Sequence, residues 1–342
     1  MTTLAPGAAF DFTKELAPGL LVTALVAMAV PFLGSHYKGS MLLFALLLGL
    51  ALHFVSEDKR CSAGIQFASS TLLRLGVALL GLRLTINHVI TVGWQTVVAL
   101  AVGVSLTIAL GVLLARLFKV ESNLDVLMGG GAICGASAAL AISSVLPKST
   151  HLERNTALTV VGVTTLSTMA MVVYPFITQW LGFNAVMSGK FIGATIHDVA
   201  QVVGAGYSLS PEAGDAATIT KLMRVAFLMP VLFAISLTVR LRMSEKAGSV
   251  FGGSAAKTSL LPWFAVAFVA LMLLNSTGWV PIWAQSGEAD LSQAFLLLAI
   301  AGVGLKTSLK EVTQLGWRPV AMIFSVTLGL ALMAGMYLSV VH

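Results

Sequence analysis

Long apolar segments separated by short polar joints constrain the fold of this chain more than any other feature. A helix needs about 20 consecutive apolar residues to cross the hydrocarbon core of a bilayer. Eleven segments approach or exceed this length, near residues 16–34, 39–55, 64–84, 88–118, 124–146, 154–181, 185–208, 214–241, 260–280, 291–308 and 313–340. The pattern predicts an all-α integral membrane protein with about nine to eleven transmembrane segments.

The composition excludes a soluble enzyme. Hydrophobic residues make up 57% of the 342 residues and charged residues only 10%, whereas a soluble domain carries about 25% charged residues. Lipid must therefore cover much of the surface. No joint is long enough to form a soluble domain, so we expect residues 1–342 to form one polytopic membrane domain with the bilayer as its surroundings.

The net charge of +6 does not indicate a nucleic-acid partner. The Lys and Arg residues lie mostly in the joints, as the positive-inside rule predicts for a membrane protein. The chain shows no phosphate-binding loop, no metal-ligand cluster and no nucleophile–base motif. We therefore predict that it is not an enzyme and needs no cofactor or metal.

An internal repeat indicates that the chain has two related halves. Residues 81–94 align with residues 304–317 at five identical positions of fourteen, including the Gly-Trp end. Both copies end one apolar segment and begin the next, and the parity of the segments between them predicts an inverted repeat. The repeat-like halves cover about 39–181 and 185–340.

Two apolar segments are unusually rich in glycine. They are MGGGAICGASAALAISS at residues 128–144 and SGKFIGATIHDVAQVVGAG at residues 188–206. A pair of Gly-interrupted segments is the best sequence indication of a transporter binding site. We predict that both are broken or re-entrant, which leaves nine full crossings.

The first of these segments supplies candidate substrate-binding groups. A half-helix that begins near Gly135, Ala136 and Ser137 would direct free N–H groups and a positive dipole end towards the centre of the membrane, which favours an anion. Gly131 and Cys134 belong to the same candidate site. The competing interpretation is tight packing of small residues, and packing is the simpler explanation for Cys134.

The second segment supplies candidate coupling groups. His197, Asp198 and Gln201 lie within it, and a carboxylate at membrane depth usually has a partner or a task. Asp198, with His197, is predicted to carry a coupling proton or to bind a coupling cation such as Na⁺. A static ion pair, or an N-cap of the returning half-helix, is the alternative.

Three cations lie within apolar segments and could contact an anionic substrate. They are Arg74, Lys221 and Arg224, and the last two share a helix face because they are three residues apart. Arginine suits the bidentate binding of oxyanions. Each cation could instead pair with Asp198 or extend to a membrane interface.

In its motifs GVALLGLRLT, GGGAICGASAALA and IHDVAQVVGAGY, the chain resembles the YeiH-type family of bacterial sulfate exporters over nearly its whole length. The resemblance implies a multi-pass transporter of the bacterial inner membrane that exports sulfate or a related sulfur oxyanion. More distantly, the chain is similar to the bile-acid and cation/proton antiporter superfamily. That likeness implies inverted repeats, a moving core and a homodimer.

The residues and the resemblance together predict a secondary active transporter. It would bind a small inorganic anion between two broken segments and move it by alternating access, with H⁺ or Na⁺ coupling. A cation/proton antiporter with Asp198 as its ion carboxylate is the first alternative, and an anion channel is the second.

Overall fold

The computed structural model describes residues 6–37, 40–118, 124–146, 151–246, 262–308 and 317–341. Regular structure in these ranges consists of helices, and no strand occurs in them. The predicted all-α integral membrane fold is therefore confirmed. Part of the second repeat copy, residues 309–316, lies outside the described ranges, and the inverted repeat stays a prediction.

The helices follow one another with short connections. In chain order they are α1 (Pro6–Tyr37), α2 (Met41–Ala51), α3 (Lys59–Phe67), α4 (Leu73–Leu79), α5 (Ile86–Val92), α6 (Trp94–Phe118), α7 (Leu124–Cys134), α8 (Ala136–Val145), α9 (Leu152–Trp180), α10 (Ala185–Thr195), α11 (Val199–Leu209), α12 (Pro211–Ala226), α13 (Leu228–Lys246), α14 (Trp263–Ser276), α15 (Ile282–Lys306) and α16 (Trp317–Val341). A π-helical turn, Ala68–Leu72, joins α3 to α4.

Within the described ranges, six helical stretches are long and apolar enough to cross a membrane. They are Glu15–Tyr37, Lys59–Leu82, Trp94–Phe118, Leu152–Trp180, Pro211–Thr238 and Trp317–Val340. Four further apolar helices are shorter: Met41–Ala51, Ala136–Val145, Val199–Leu209 and Trp263–Ser276. Short apolar helices are what interrupted segments produce, so helix length alone does not give the total number of crossings.

The chain divides into two compact units. Unit 1 contains Met1–Val89, Val203–Asp215 and Phe264–Ser308, and unit 2 contains Ile90–Val202, Ala216–Trp263 and Leu309–His342. The chain passes from one unit to the other within α5, α11 and α12, at the start of α14 and after Ser308.

Two pairs of facing glycines hold the helices of unit 1 close together. Gly19 of α1 lies against Gly64 of α3, and Gly49 of α2 lies against Gly304 of α15. At each of these four positions an added Cβ would overlap backbone atoms of the facing helix. Small residues let the two helix backbones approach closely. Close approach strengthens the dispersion contacts, which hold membrane helices together because lipid tails are as apolar as their side chains.

Unit 2 contains both Gly-rich segments. Helix α10 packs directly on α12 at Gly193, where a Cβ would overlap the carbonyl oxygen of Ala217 and the side chain of Thr220. This contact places the C-terminal end of α10 beside the middle of α12. A buried apolar cluster that includes Leu127, Ile133 and Ile142 packs α7 and α8 together.

Candidate functional site

Both Gly-rich segments are broken, as predicted, and each break lies at its glycine or polar motif. The first separates α7 from α8 at Gly135, whose φ of +68° and ψ of −139° suit glycine and almost no other residue. The second separates α10 from α11, where Ile196 adopts an extended conformation with ψ of 135°. Each break leaves the carbonyl groups of one helix end and the N–H groups of the next helix start without intrahelical partners.

Helices α7 and α8 fold back on each other at the first break. The side chain of Ile142 in α8 lies against Gly130 in α7, and the Ala139 Cβ lies 3.7 Å from where a Cβ of Gly131 would stand. In a straight helix, residues 130 and 142 would be about 18 Å apart. The first Gly-rich segment is therefore a helical hairpin, and its re-entry into the membrane stays a prediction.

Lys221 binds carbonyl groups from both breaks. Its fully buried ammonium donates to the carbonyl oxygen of Ile133 at 3.0 Å, to that of Ile196 at 2.9 Å, and to that of His197. These carbonyls belong to the C-terminal end of α7 and to the residues just after α10. A cation at this position complements the partial negative charge of a helix C-terminus. Lys221 therefore connects the two breaks by hydrogen bonds.

Arg224, one helical turn further along α12, repeats this arrangement. Its Nη1 donates to the carbonyl oxygen of Ala194 at 2.6 Å, and its Nη2 donates to that of Ala132. The side chain is 1% exposed. The structure thus brings the predicted cations Lys221 and Arg224 to the site, where they bind helix ends.

His197 links the second break to α16. Its Nδ1 lies 2.9 Å from the carbonyl oxygen of Ala132 and its Nε2 lies 2.8 Å from Thr327 Oγ1. A carbonyl oxygen only accepts, so Nδ1 must carry hydrogen in this arrangement. Both ring nitrogens of the buried imidazole are engaged, which favours a positioning role for His197.

Asp198 lies where the N-terminal ends of α8 and α11 meet. Its Oδ1 would stand 2.6 Å from a Cβ at Gly135, so the carboxylate occupies the space that the glycine leaves open. Thr164 Oγ1 donates to Oδ2 at 3.4 Å, and the Asp198 N–H donates to Ser167 Oγ at 3.3 Å. The carboxylate faces the partial positive charge of two helix starts and is only half-buried.

Gln201 extends the polar site by one turn. Its Nε2 donates to Thr168 Oγ1 at 3.2 Å. Its buried Oε1 has no hydrogen-bond partner among the residues that the structure describes. The fully buried side chain therefore carries an acceptor that no described donor uses.

Helix α9 supplies hydroxyl groups that the sequence analysis did not identify. Thr164, Ser167 and Thr168 contact Asp198 or Gln201. The run TTLST at residues 164–168, inside a long apolar helix, is the signal that could have indicated them, because polar side chains in a membrane helix usually face other protein groups.

The other predicted residues of the first Gly-rich segment differ in their surroundings. Gly131 and Cys134 are buried, Ala136 is half-buried, and Ser137 is exposed at the start of α8. A Cβ at Gly131 would stand 3.0 Å from the Thr159 methyl group. Gly131 is therefore a close-packing position, and Ser137 is the residue of this set that presents a polar group outwards.

Arg74 belongs to unit 1, and its side chain is exposed on α4. The residues Lys221, Arg224, His197, Asp198 and Gln201 all belong to unit 2. The predicted contact between Arg74 and substrate stays a prediction. Across the described ranges, no group of three or more His, Cys, Asp and Glu side chains has the geometry of a metal site.

Comparisons with known proteins give the family. Residues 18–323 match the family model described as conserved hypothetical protein 698. The chain is 46% identical over 318 residues to a UPF0324 membrane protein of Chlorobaculum tepidum, covering 92% of this chain and 87% of that one. It is 47% identical over 316 residues to the UPF0324 membrane protein TauZ of Paracoccus denitrificans, covering 92% of each chain.

A more distant relative, the UPF0324 membrane protein of Haemophilus influenzae, is 31% identical over 322 residues, covering 91% of this chain and 93% of that one. No solved structure matches the chain. The sulfate-exporter assignment, the antiporter likeness and the inner-membrane location stay predictions. The chain belongs to the UPF0324 family of multi-pass membrane proteins.

Proposed function

We propose that this protein is a secondary active transporter that binds a small anion where its two broken helices meet. One observation carries the proposal: α7–α8 and α10–α11 are interrupted side by side, and Lys221 donates to carbonyls of both breaks. Interrupted helices whose free backbone groups face one another form the substrate and ion sites of many secondary transporters.

The charge balance of unit 2 supports an anionic substrate. Among its described side chains that are not exposed, three are cationic, Lys190, Lys221 and Arg224, and one is a carboxylate, Asp198. A net positive charge at membrane depth is costly. A bound anion would lower this cost, whereas a bound cation would raise it.

The groups available to bind the anion lie at the start of α8. The N–H groups of its first turn have no intrahelical acceptors, and Ser137 is exposed beside them. Hydroxyl and N–H donors at a helix N-terminus suit a tetrahedral oxyanion. Together with the resemblance to sulfate exporters, this favours sulfate or a related sulfur oxyanion as the substrate.

Asp198 is the best candidate for the coupling group. An anion approaching the start of α8 would be repelled by the ionised carboxylate, because both occupy the same positive helix ends. Protonation of Asp198 would remove this repulsion. Substrate binding and proton binding would then favour each other, which is the thermodynamic requirement for coupled transport.

Counterflow in proteoliposomes tests the proposal. Vesicles loaded with unlabelled sulfate or sulfite should take up the same labelled anion transiently, with saturation. A carrier shows stimulation by internal substrate, whereas a channel equilibrates the label without it. If neither sulfate nor sulfite shows stimulated uptake, the proposed substrate class is contradicted.

A cation/proton antiporter is the second candidate. The Gln201 Oε1 lacks a hydrogen-bond partner among the described residues, and it lies one turn from the Asp198 carboxylate. Carboxylate and amide oxygens are ligands that hard cations prefer. Proton flux driven by a Na⁺ gradient in the absence of any transportable anion would favour this candidate.

A further inference from the structure

A cavity of about 170 Å³ lies within unit 2, away from the hydroxyl groups of α9. Residues of α6, α10 and α16, together with Arg224, line it. Its walls are mainly apolar and include Leu100, Val104 and Leu330. Exposed residues of α6, Val102 and Leu106, also line it, so the cavity is open on the side where α6 faces its surroundings.

Lys190 places a cation in this apolar cavity. Its side chain is 8% exposed and lines the cavity. In the described part of the chain, no acceptor or carboxylate lies within hydrogen-bond or ion-pair distance of its ammonium. An unpaired buried cation is costly, which distinguishes Lys190 from Lys221 and Arg224, whose donors bind carbonyl oxygens.

We propose that this cavity binds an amphiphilic monoanion, with its acidic head on Lys190 and its apolar body against α6 and α16. The volume suits a body of roughly benzene size, for which an apolar cavity of about 150 Å³ is sufficient. Tyr337 also lines the cavity and brings a phenolic hydroxyl group to its wall. This site does not depend on the transport proposal, because binding requires neither a gradient nor movement.

The same chemistry is available from two sources: a water-soluble carboxylate and the head of an anionic lipid. The first arm of the test measures binding of 4-fluorobenzoate to the full chain in neutral detergent by ¹⁹F NMR. The wild type should bind 4-fluorobenzoate saturably. Lys190→Met should weaken this binding at least tenfold, whereas Lys190→Arg, which keeps the positive charge, should preserve it. Uncharged fluorobenzene should bind the wild type and Lys190→Met alike.

The second arm uses native mass spectrometry after reconstitution with phosphatidylglycerol and phosphatidylcholine. Selective retention of phosphatidylglycerol by the wild type, lost in Lys190→Met, would identify a lipid as the occupant. Anion binding without lipid retention would identify a soluble ligand. Either result supports the site.

Gly103 offers a steric control because a Cβ at this position meets nothing within 4 Å. Gly103→Phe should fill the cavity and abolish occupancy while the chain stays folded. Failure of both 4-fluorobenzoate and phosphatidylglycerol to bind the wild type would overturn the proposal. So would binding that neither Lys190→Met nor Gly103→Phe changes.

Discussion

Individual residues at the two breaks are distinguished by what they bind. Lys221 and Lys190 are both buried lysines of unit 2, yet Lys221 donates to three carbonyl oxygens and Lys190 to none that the structure describes. The sequence pattern favours Lys221, three residues before Arg224, as a candidate for substrate contact, and it does not distinguish Lys190. Only the packing of α10 on α12 shows which lysine has partners.

The difference between the two lysines predicts opposite stability effects. Lys221→Met would leave three carbonyl groups without a donor, at about 1–3 kcal/mol each, so the Tm in detergent should fall by roughly 5–10 °C. Lys190→Met removes an unpaired buried charge and should leave the Tm unchanged or raise it. Thermal unfolding of the two variants in the same detergent checks this. Equal losses for both would contradict the assigned contacts.

Gly135 combines a backbone requirement with a close contact to the Asp198 carboxylate. Gly135→Ala adds the strain of a positive φ, about 1–3 kcal/mol, and pushes the new Cβ into the Asp198 carboxylate. Gly182→Ala is the matched control, because Gly182 has a φ of +70° but its Cβ would meet nothing within 4 Å. We expect counterflow to be lost in Gly135→Ala and kept in Gly182→Ala. Equal counterflow in the two variants would show that displacement of the Asp198 carboxylate does not affect transport.

At the scale of elements, the Gly-rich motifs predicted the two broken helices well. The breaks fall at Gly135 and at the residues Ile196 and His197, because glycine tolerates positive φ and polar residues can cap the new helix ends. The polar run TTLST on α9 was a local signal for its hydroxyl groups, but the residues that they contact and the unit to which each helix belongs were not predictable. They depend on long-range contacts that leave no local pattern in the sequence.

The glycine pairs of unit 1 predict a second effect at this scale. Gly64→Leu would separate α3 from α1, because even a Cβ at this position overlaps backbone atoms of α1. Gly103→Leu on α6 makes the same chemical change where a Cβ has open space. Gly64→Leu should therefore abolish the monodisperse peak in size-exclusion chromatography, and Gly103→Leu should preserve it. A folded, monodisperse Gly64→Leu protein would contradict the helix crossing.

At the scale of the whole molecule, the proposed coupling site lies in unit 2, and the chain passes between the units within α11 and α12. These are the helices that follow Asp198 and carry Lys221 and Arg224. Transport by alternating access requires a site that exists in two arrangements with different accessibility. Helices α11 and α12 therefore connect the residues of the proposed site covalently to unit 1.

The proposed role of Asp198 is to couple anion transport to protons. Its most direct test is uphill uptake of labelled sulfate or sulfite driven by a pH gradient in proteoliposomes, compared for the wild type and Asp198→Asn. Asparagine is as favourable as aspartate at a helix N-terminus, so this change removes the charge and keeps a side chain suited to the start of α11. Asp58→Asn is the control, since Asp58 caps α3 through Arg60 N at an exposed position.

We predict that the wild type and Asp58→Asn accumulate the anion above its external concentration when the pH gradient is imposed. Asp198→Asn should retain exchange of internal for external anion but should no longer respond to the gradient. Gradient-driven accumulation by Asp198→Asn at the wild-type level would contradict the coupling role of Asp198.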